Sequence, residues 1–242
     1  MRGPKRELWL AWWTMVVFYQ LFGLVFFVIT RTQPPPPPAW DTPHKVQWFN
    51  DHHHGLLIGF ALMFVITGMT APINALIAYS MRRMSVSPVF GYTYLVIYSL
   101  SAIPGMLLLC LALTAGAMRP DRDPELIGWL YDFAFLSFVG TMGVFLIGSL
   151  VWMLAILIDK NNVLPKWFGY LNLCNALTEI VVSPAWIFDR GGVLAWNGVI
   201  AWWVNMVVFG IYTGAFIVLL RRMILREDFG TGVLPPLAGA AV

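Results

Sequence analysis

Leu8-Trp9-Leu10-Ala11-Trp12-Trp13-Thr14-Met15-Val16-Val17-Phe18-Tyr19-Gln20-Leu21-Phe22-Gly23-Leu24-Val25-Phe26-Phe27-Val28-Ile29-Thr30 runs from end to end without a charge. As a helix rising about 1.5 Å per residue, it covers the ~30 Å hydrocarbon core of a bilayer. Arg2, Lys5 and Arg6 precede it and Arg31 follows it, so charge stops at both edges. A basic start before an apolar core also opens a secretory signal. This core exceeds the ~7–15 apolar residues of a signal, and the exit Ile29-Thr30-Arg31-Thr32-Gln33 has no small-residue cleavage site. We expect a retained first span.

The rest of the chain repeats the pattern. Apolar segments follow at Gly55 to Met81, Val89 to Ala117, Ile127 to Ile158, Trp167 to Phe188 and Trp196 to Leu220, each able to supply about 20 spanning residues. The expectation is all-α: a polytopic integral membrane protein, one six-helix transmembrane bundle over residues 1–242. Composition agrees, with 59% hydrophobic and 11% charged residues and a mean hydropathy of +0.73. The net charge of +3 does not point to nucleic acid, because Lys and Arg are scattered at the ends of apolar runs.

Those positive charges orient the bundle. With the N-terminus inside, Arg2, Lys5, Arg6, Arg82, Arg83, Lys160, Lys166, Arg221, Arg222 and Arg226 are cytoplasmic, whereas Arg31, Lys45, Arg119, Arg122 and Arg190 are outside. The bias places both termini in the cytoplasm of a cell whose plasma membrane is the host bilayer. Residues 31–50 become a Pro-rich outer loop whose run Pro34 to Pro38 is a stiff polyproline spacer. Residues 227–242, rich in Gly, Pro and Ala, read as a flexible cytoplasmic tail. Cys110 and Cys174 both fall in apolar segments, at depths differing by on the order of 20 Å, too far apart for a disulfide.

Two echoes point to an internal repeat. Trp48-Phe49-Asn50-Asp51 opens the second span and Trp129-Leu130-Tyr131-Asp132 the fourth. Pro88-Val89-Phe90-Gly91-Tyr92 opens the third, and Pro165-Lys166-Trp167-Phe168-Gly169-Tyr170 the fifth. The two pairs recur at nearly the same offset along the chain. One reading is a duplicated hairpin, spans two and three repeated as four and five. The other is shared helix-opening chemistry: interfacial Trp, an acid or amide cap, Pro in the first turn.

The fifth span is the most polar. Asn172, Asn175, Glu179 and Ser183, spaced 3, 4 and 4 apart, fall within one stripe of a helix at about 100° per residue. A carboxyl group facing lipid is costly, so that stripe is expected to face the bundle interior. There the four residues either stitch helices together or bind a ligand, with Glu179 the candidate acid or base. Asp132, the other acid within an apolar segment, reads first as a carboxylate at a helix N-terminus.

Asp51-His52-His53-His54 concentrates three of the four histidines. Consecutive helical residues point about 100° apart, so at most two of these rings can face one ion. A pair of them with Asp51, His44 or Asp132 would offer N and O ligands to a transition metal such as zinc, copper or iron. No established metal signature is present, and the plainer reading is a partly solvated helix cap. Small residues mark packing faces at Gly55…Gly59 and Gly210…Gly214, while Pro72, Pro104 and Pro184 are expected to bend their spans.

Three functions fit this pattern. With few intramembrane polar groups and no catalytic motif, the least demanding is a non-catalytic subunit or assembly factor of a larger membrane complex, its partners the bilayer and other subunits. The second is a membrane-embedded enzyme acting on a hydrophobic substrate, using Glu179 and an outer His/Asp metal site. The third is a small transporter or lipid-binding protein that uses the polar face of the fifth span.

Overall fold

The computed structural model describes residues 3–101, 103–119, 121–182, 187 and 191–229. Among the described residues the regular structure is helical, without strands. Helix α1 (Gly3–Gly23) continues into a π-helical turn, Leu24–Ile29. Helices α2 (Thr42–Thr67) and α3 (Thr70–Arg82) meet at a bend. Then come α4 (Val89–Ser101), a π-helical segment (Ile103–Leu107) and α5 (Leu108–Ala117). Next are α6 (Pro124–Val139), a 3-10 turn (Met142–Phe145), α7 (Leu146–Ile158) and α8 (Lys166–Val182). A last π-helical segment, Val199–Val204, leads into α9 (Asn205–Arg226).

Among the described residues four stretches are long and apolar enough to cross a membrane: Lys5–Ile29, Thr42–Arg82, Val89–Ala117 and Val199–Arg226. The segment expected over residues 127–158 is instead broken. α6 stops at Val139, the Thr141 hydroxyl bonds back to the Ser137 carbonyl, and α7 holds only 13 residues. α8 has 17 residues, and Ser183, Pro184 and the tail from residue 230 lie outside the described residues.

The outer-loop expectation also changes. The second helix starts at Thr42 rather than Gly55, because Asp41 caps it: the Asp41 carboxylate accepts from the His44 N–H at 3.1 Å, with Pro43 in the first turn. The proline run before it is packed rather than free. Polyproline carbonyls have no internal partners, and here Pro36 accepts from Trp196 Nε1 at 2.7 Å and Pro37 from the Tyr131 hydroxyl at 3.0 Å.

The bend between α2 and α3 has a chemical cause. Pro72 has no N–H to give the Gly68 carbonyl, which accepts from Ala71 instead at 3.2 Å. The Thr67 and Thr70 hydroxyls cover the carbonyls of Met63 and Thr67, each at 2.7 Å. The bend carries the chain between two packing groups. α1, α3, α4, α7, α8 and α9 each pack on the next, and α9 returns to α1, closing a ring. α2, α5 and α6 pack mutually as a group of three. Gly55 and Gly59 bring α2 onto the end of α1, where an added Cβ would lie 2.4 Å from the Ile29 carbonyl oxygen and 2.3 Å from Thr30 Cγ2.

Polar bonds fasten one end of the ring. Lys5 Nζ donates to the Leu225 and Glu227 carbonyls at 3.1 Å each, and Arg83 pairs with Glu227 at 2.9 Å. Asp159, 2% exposed, accepts from the backbone N–H groups of Ser85, Asn161 and Val163 at 2.8, 3.0 and 2.9 Å. Lys166 Nζ covers the last carbonyls of α7, those of Ile156 and Leu157 at 2.8 and 3.0 Å and that of Asp159. Cys110 is buried and Cys174 exposed, both as free thiols.

Candidate functional site

A partly open cavity of about 230 Å³ lies among α1, α3, α4, α8 and α9 of the ring, with Met106, Phe138 and Phe145 also on its wall. α8 contributes Asn175 and Glu179, one helical turn apart and each 6% exposed. Asn175 Nδ2 donates to Glu179 Oε1 at 2.8 Å, and the Ser149 hydroxyl on α7 donates to the same oxygen at 3.4 Å. Tyr98 on α4 lies 3.5 Å from the Ser149 hydroxyl and stacks on Tyr94, ring centroids 4.2 Å apart. Neutral donors from α7 and α8 thus meet on one carboxyl oxygen, with Tyr98 of α4 next to one of them. On its other side Asn205 of α9 donates to the Thr178 hydroxyl at 3.3 Å, and that hydroxyl donates to the Asn175 carbonyl at 2.7 Å.

Aromatic rings make up much of the wall. Tyr94, Tyr98, Tyr212 and Phe216 line it, packed from behind by fully buried Trp152, whose indole meets Tyr94 at 5.8 Å and Phe216 at 5.1 Å. Edge-to-face pairs of this kind hold rings in place at about 0.5–1.5 kcal/mol each beyond their buried area. Gly148 on α7 admits the Tyr98 ring, since an added Cβ would lie 2.4 Å from Tyr98 Cε2. Among the described lining residues Glu179 is the only acid, and there is no Lys, Arg or His.

The expected polar stripe divides. Asn175 and Glu179 face the cavity, while Asn172 is buried beside them and returns its amide to the Phe168 carbonyl of its own helix at 2.9 Å. Ser183 lies outside the described residues. Ser149, Tyr98 and Asn205 complete the site without having been singled out in the sequence. Asn205 is a lone amide in an apolar run and Tyr94 and Tyr98 recur at i, i+4, but nothing in the sequence pairs residues so far apart.

The His/Asp cluster does not assemble into a centre. Asp132 is held by Lys45, whose Nζ lies 2.7 Å from both carboxylate oxygens and 5.2 Å from the Tyr131 ring centroid. His52 stacks on Trp48 at 4.8 Å and its Nδ1 lies 2.8 Å from the Trp48 carbonyl oxygen. His53 and His54 meet edge to face at 4.8 Å, Asp51 is exposed, and His44 is engaged with Asp41. Among the described residues no group of three or more His, Cys, Asp and Glu is arranged to hold a metal ion. No protein-family model, curated protein or solved structure matches the chain.

Proposed function

We propose that the chain is a six-span integral membrane protein, both termini cytoplasmic, that binds or carries a small, largely apolar ligand at the Asn175–Glu179 face. The observation that carries this reading is a carboxyl group on the wall of a largely apolar cavity rich in aromatic rings. A structural Glu needs only partners, whereas this one also borders open space. An apolar cavity of about 150 Å³ accepts benzene, and drug-sized pockets begin at about 300 Å³. A volume of about 230 Å³ therefore suits one ring with a short substituent better than a long-chain lipid.

The six-span count takes α6 with α7 as the fourth crossing and α8 within the fifth. The meeting of Lys5 with Leu225 and Glu227 at one end supports an even number of crossings. The repeat is read as a duplicated hairpin, and one similarity supports it. Gly91 and Gly169 hold corresponding positions in the two Pro-containing motifs, and each lies where the second helix of a hairpin touches the first. An added Cβ would meet the Ala78 carbonyl oxygen at 3.3 Å in one and Leu157 Cδ2 at 2.8 Å in the other.

Met106 and Met206 border the cavity and report on its contents. Benzyltrimethylammonium or its neutral isostere neopentylbenzene, added to detergent-solubilised protein carrying ¹³C-methyl methionine, should shift both methyl signals saturably. Thr70→Phe, which fills the cavity from α3, should abolish the shift. Methyl signals that ignore both probes would refute the reading.

A subunit role is favoured by a different observation. Gly210 and Gly214 on α9 are exposed, and a Cβ added at either meets nothing within 4 Å. This small-residue face is open to lipid or another helix. Gly210→Leu with Gly214→Leu should then remove a co-purifying partner or dimer from mild detergent, and an unchanged native mass would sink that reading. The membrane-enzyme reading has no comparable support at His52–His54.

A further inference from the structure

We infer that the cavity is built for a lipophilic organic cation, an ammonium group carrying apolar substituents, with the Glu179 carboxylate as counter-ion and tyrosine and phenylalanine faces around the substituents. The inference rests on the ligand-binding reading above and names the class of ligand.

Three features of the wall converge on this class. The first is charge: Glu179 is the only acid among the described lining residues, and they include no Lys, Arg or His. An anionic ligand would thus meet a carboxylate and no compensating cation, in surroundings where an unpaired charge is expensive. The second is the aromatic surface. Tyr94 and Tyr98 from α4, Phe209, Tyr212 and Phe216 from α9, and Phe18 from α1 bring rings from three sides. Ring faces attract cations, and an aromatic cage is a recognised solution for ammonium groups that carry their own methyls. The third is donor geometry. Asn175 and Ser149 both donate to Glu179 Oε1, so a carboxylate paired with a bound cation has two neutral donors already in place.

Size agrees with this class. The cavity takes about one substituted ring, and benzyltrimethylammonium is such a molecule. A neutral apolar ligand would fit the rings equally well but would give no use to a buried carboxyl group. A neutral ligand with hydrogen-bonding groups would draw on Asn175, Asn205 and Glu179 alike, and a site built for it would show no preference for a charged probe over its neutral isostere.

The test compares two probes of one shape. Benzyltrimethylammonium and neopentylbenzene differ by a charged nitrogen in place of a carbon, and both are titrated against the Met106 and Met206 methyl signals of the full-length protein. In the wild type the cation should bind at least about tenfold more tightly than the isostere. Glu179→Gln should remove that preference, bringing the two affinities within about twofold of each other. Equal affinities in the wild type would overturn the inference and leave the cavity reading standing, and this arm needs no variant to fold. Retention of the preference in Glu179→Gln would also overturn it, and a failure of both probes to shift either methionine would overturn the cavity reading too.

Discussion

Lys45 and Asp132 join α2 to α6 through a bidentate contact, the ammonium 2.7 Å from both carboxylate oxygens. The lysine side chain is 10% exposed and the aspartate 41%, so the pair lies between a solvated bridge and a buried one. Its coupling energy should be about 1–2 kcal/mol, above the usual surface value and below the cost of stranding a fully buried charge. A double-mutant cycle of Lys45→Met and Asp132→Asn, read by thermal unfolding in detergent, measures it. A coupling below about 0.3 kcal/mol would show that the contact does not help hold the two helices together.

At the turn after α7, Asp159 gathers three backbone N–H groups that no helix satisfies. Asp159→Ala should cost about 2–3 kcal/mol, because one buried and two partly buried N–H groups lose their acceptor together. Asp159→Asn should cost roughly half as much. One oxygen can still accept from Ser85 and Asn161, while the new amide meets the Val163 N–H with a donor. Equal losses for the two variants would mean that the charge, rather than the acceptor geometry, matters at this turn.

Hydropathy made the apolar crossings legible but not their internal breaks. Through Phe138-Val139-Gly140-Thr141 the chain stays apolar, so a window of hydrophobicity passes over the point where α6 ends and a 3-10 turn begins. The start of α2 was hidden for the opposite reason. Lys45, Asp51 and the histidines lower the local hydropathy, although Asp41-Thr42-Pro43 carries a readable cap. Within the site, helical periodicity pairs Asn175 with Glu179, one turn apart. It cannot pair Glu179 with Ser149 or Tyr98, which arrive from other helices, and it cannot show that Asn172 bonds to its own backbone. Nor does the sequence show the bidentate grip of Lys45 on Asp132, which holds that carboxylate away from the histidines.

The cap of α2 should loosen in acid. Hydrogen bonds from the His44 side chain and then from its backbone N–H hold Asp41 below its ordinary value of 3.8. A lowered folded-state pKa means that the cap's contribution is complete above that ordinary value and is lost as pH falls through the folded pKa. Asp41 is fully exposed, so the effect is local: faster amide exchange at His44 and its neighbours, without global unfolding. Asp41→Asn keeps a capping oxygen but cannot titrate, and its exchange should show no acid-dependent step here. A step of the same size in that variant would assign the change to another group.

Gly148 separates packing from site architecture. An added Cβ would lie 2.4 Å from Tyr98 Cε2 and 3.3 Å from Ile97 Cγ2, and the ring has little room to retreat, being stacked on Tyr94 and tilted over Phe145 at 5.4 Å. Gly148→Ala should therefore cost about 1–3 kcal/mol in strain, partly offset by up to ~1 kcal/mol of helix propensity. Because Tyr98 lines the cavity, the same variant should weaken benzyltrimethylammonium binding. Gly23→Ala is the control, since its added Cβ meets nothing within 4 Å and only the propensity gain remains. Thermal unfolding and the Met106 and Met206 methyl shifts, measured on both variants, should move in opposite directions for stability and only in Gly148→Ala for binding. Unchanged probe affinity in Gly148→Ala would show that the position of the Tyr98 ring does not define the site.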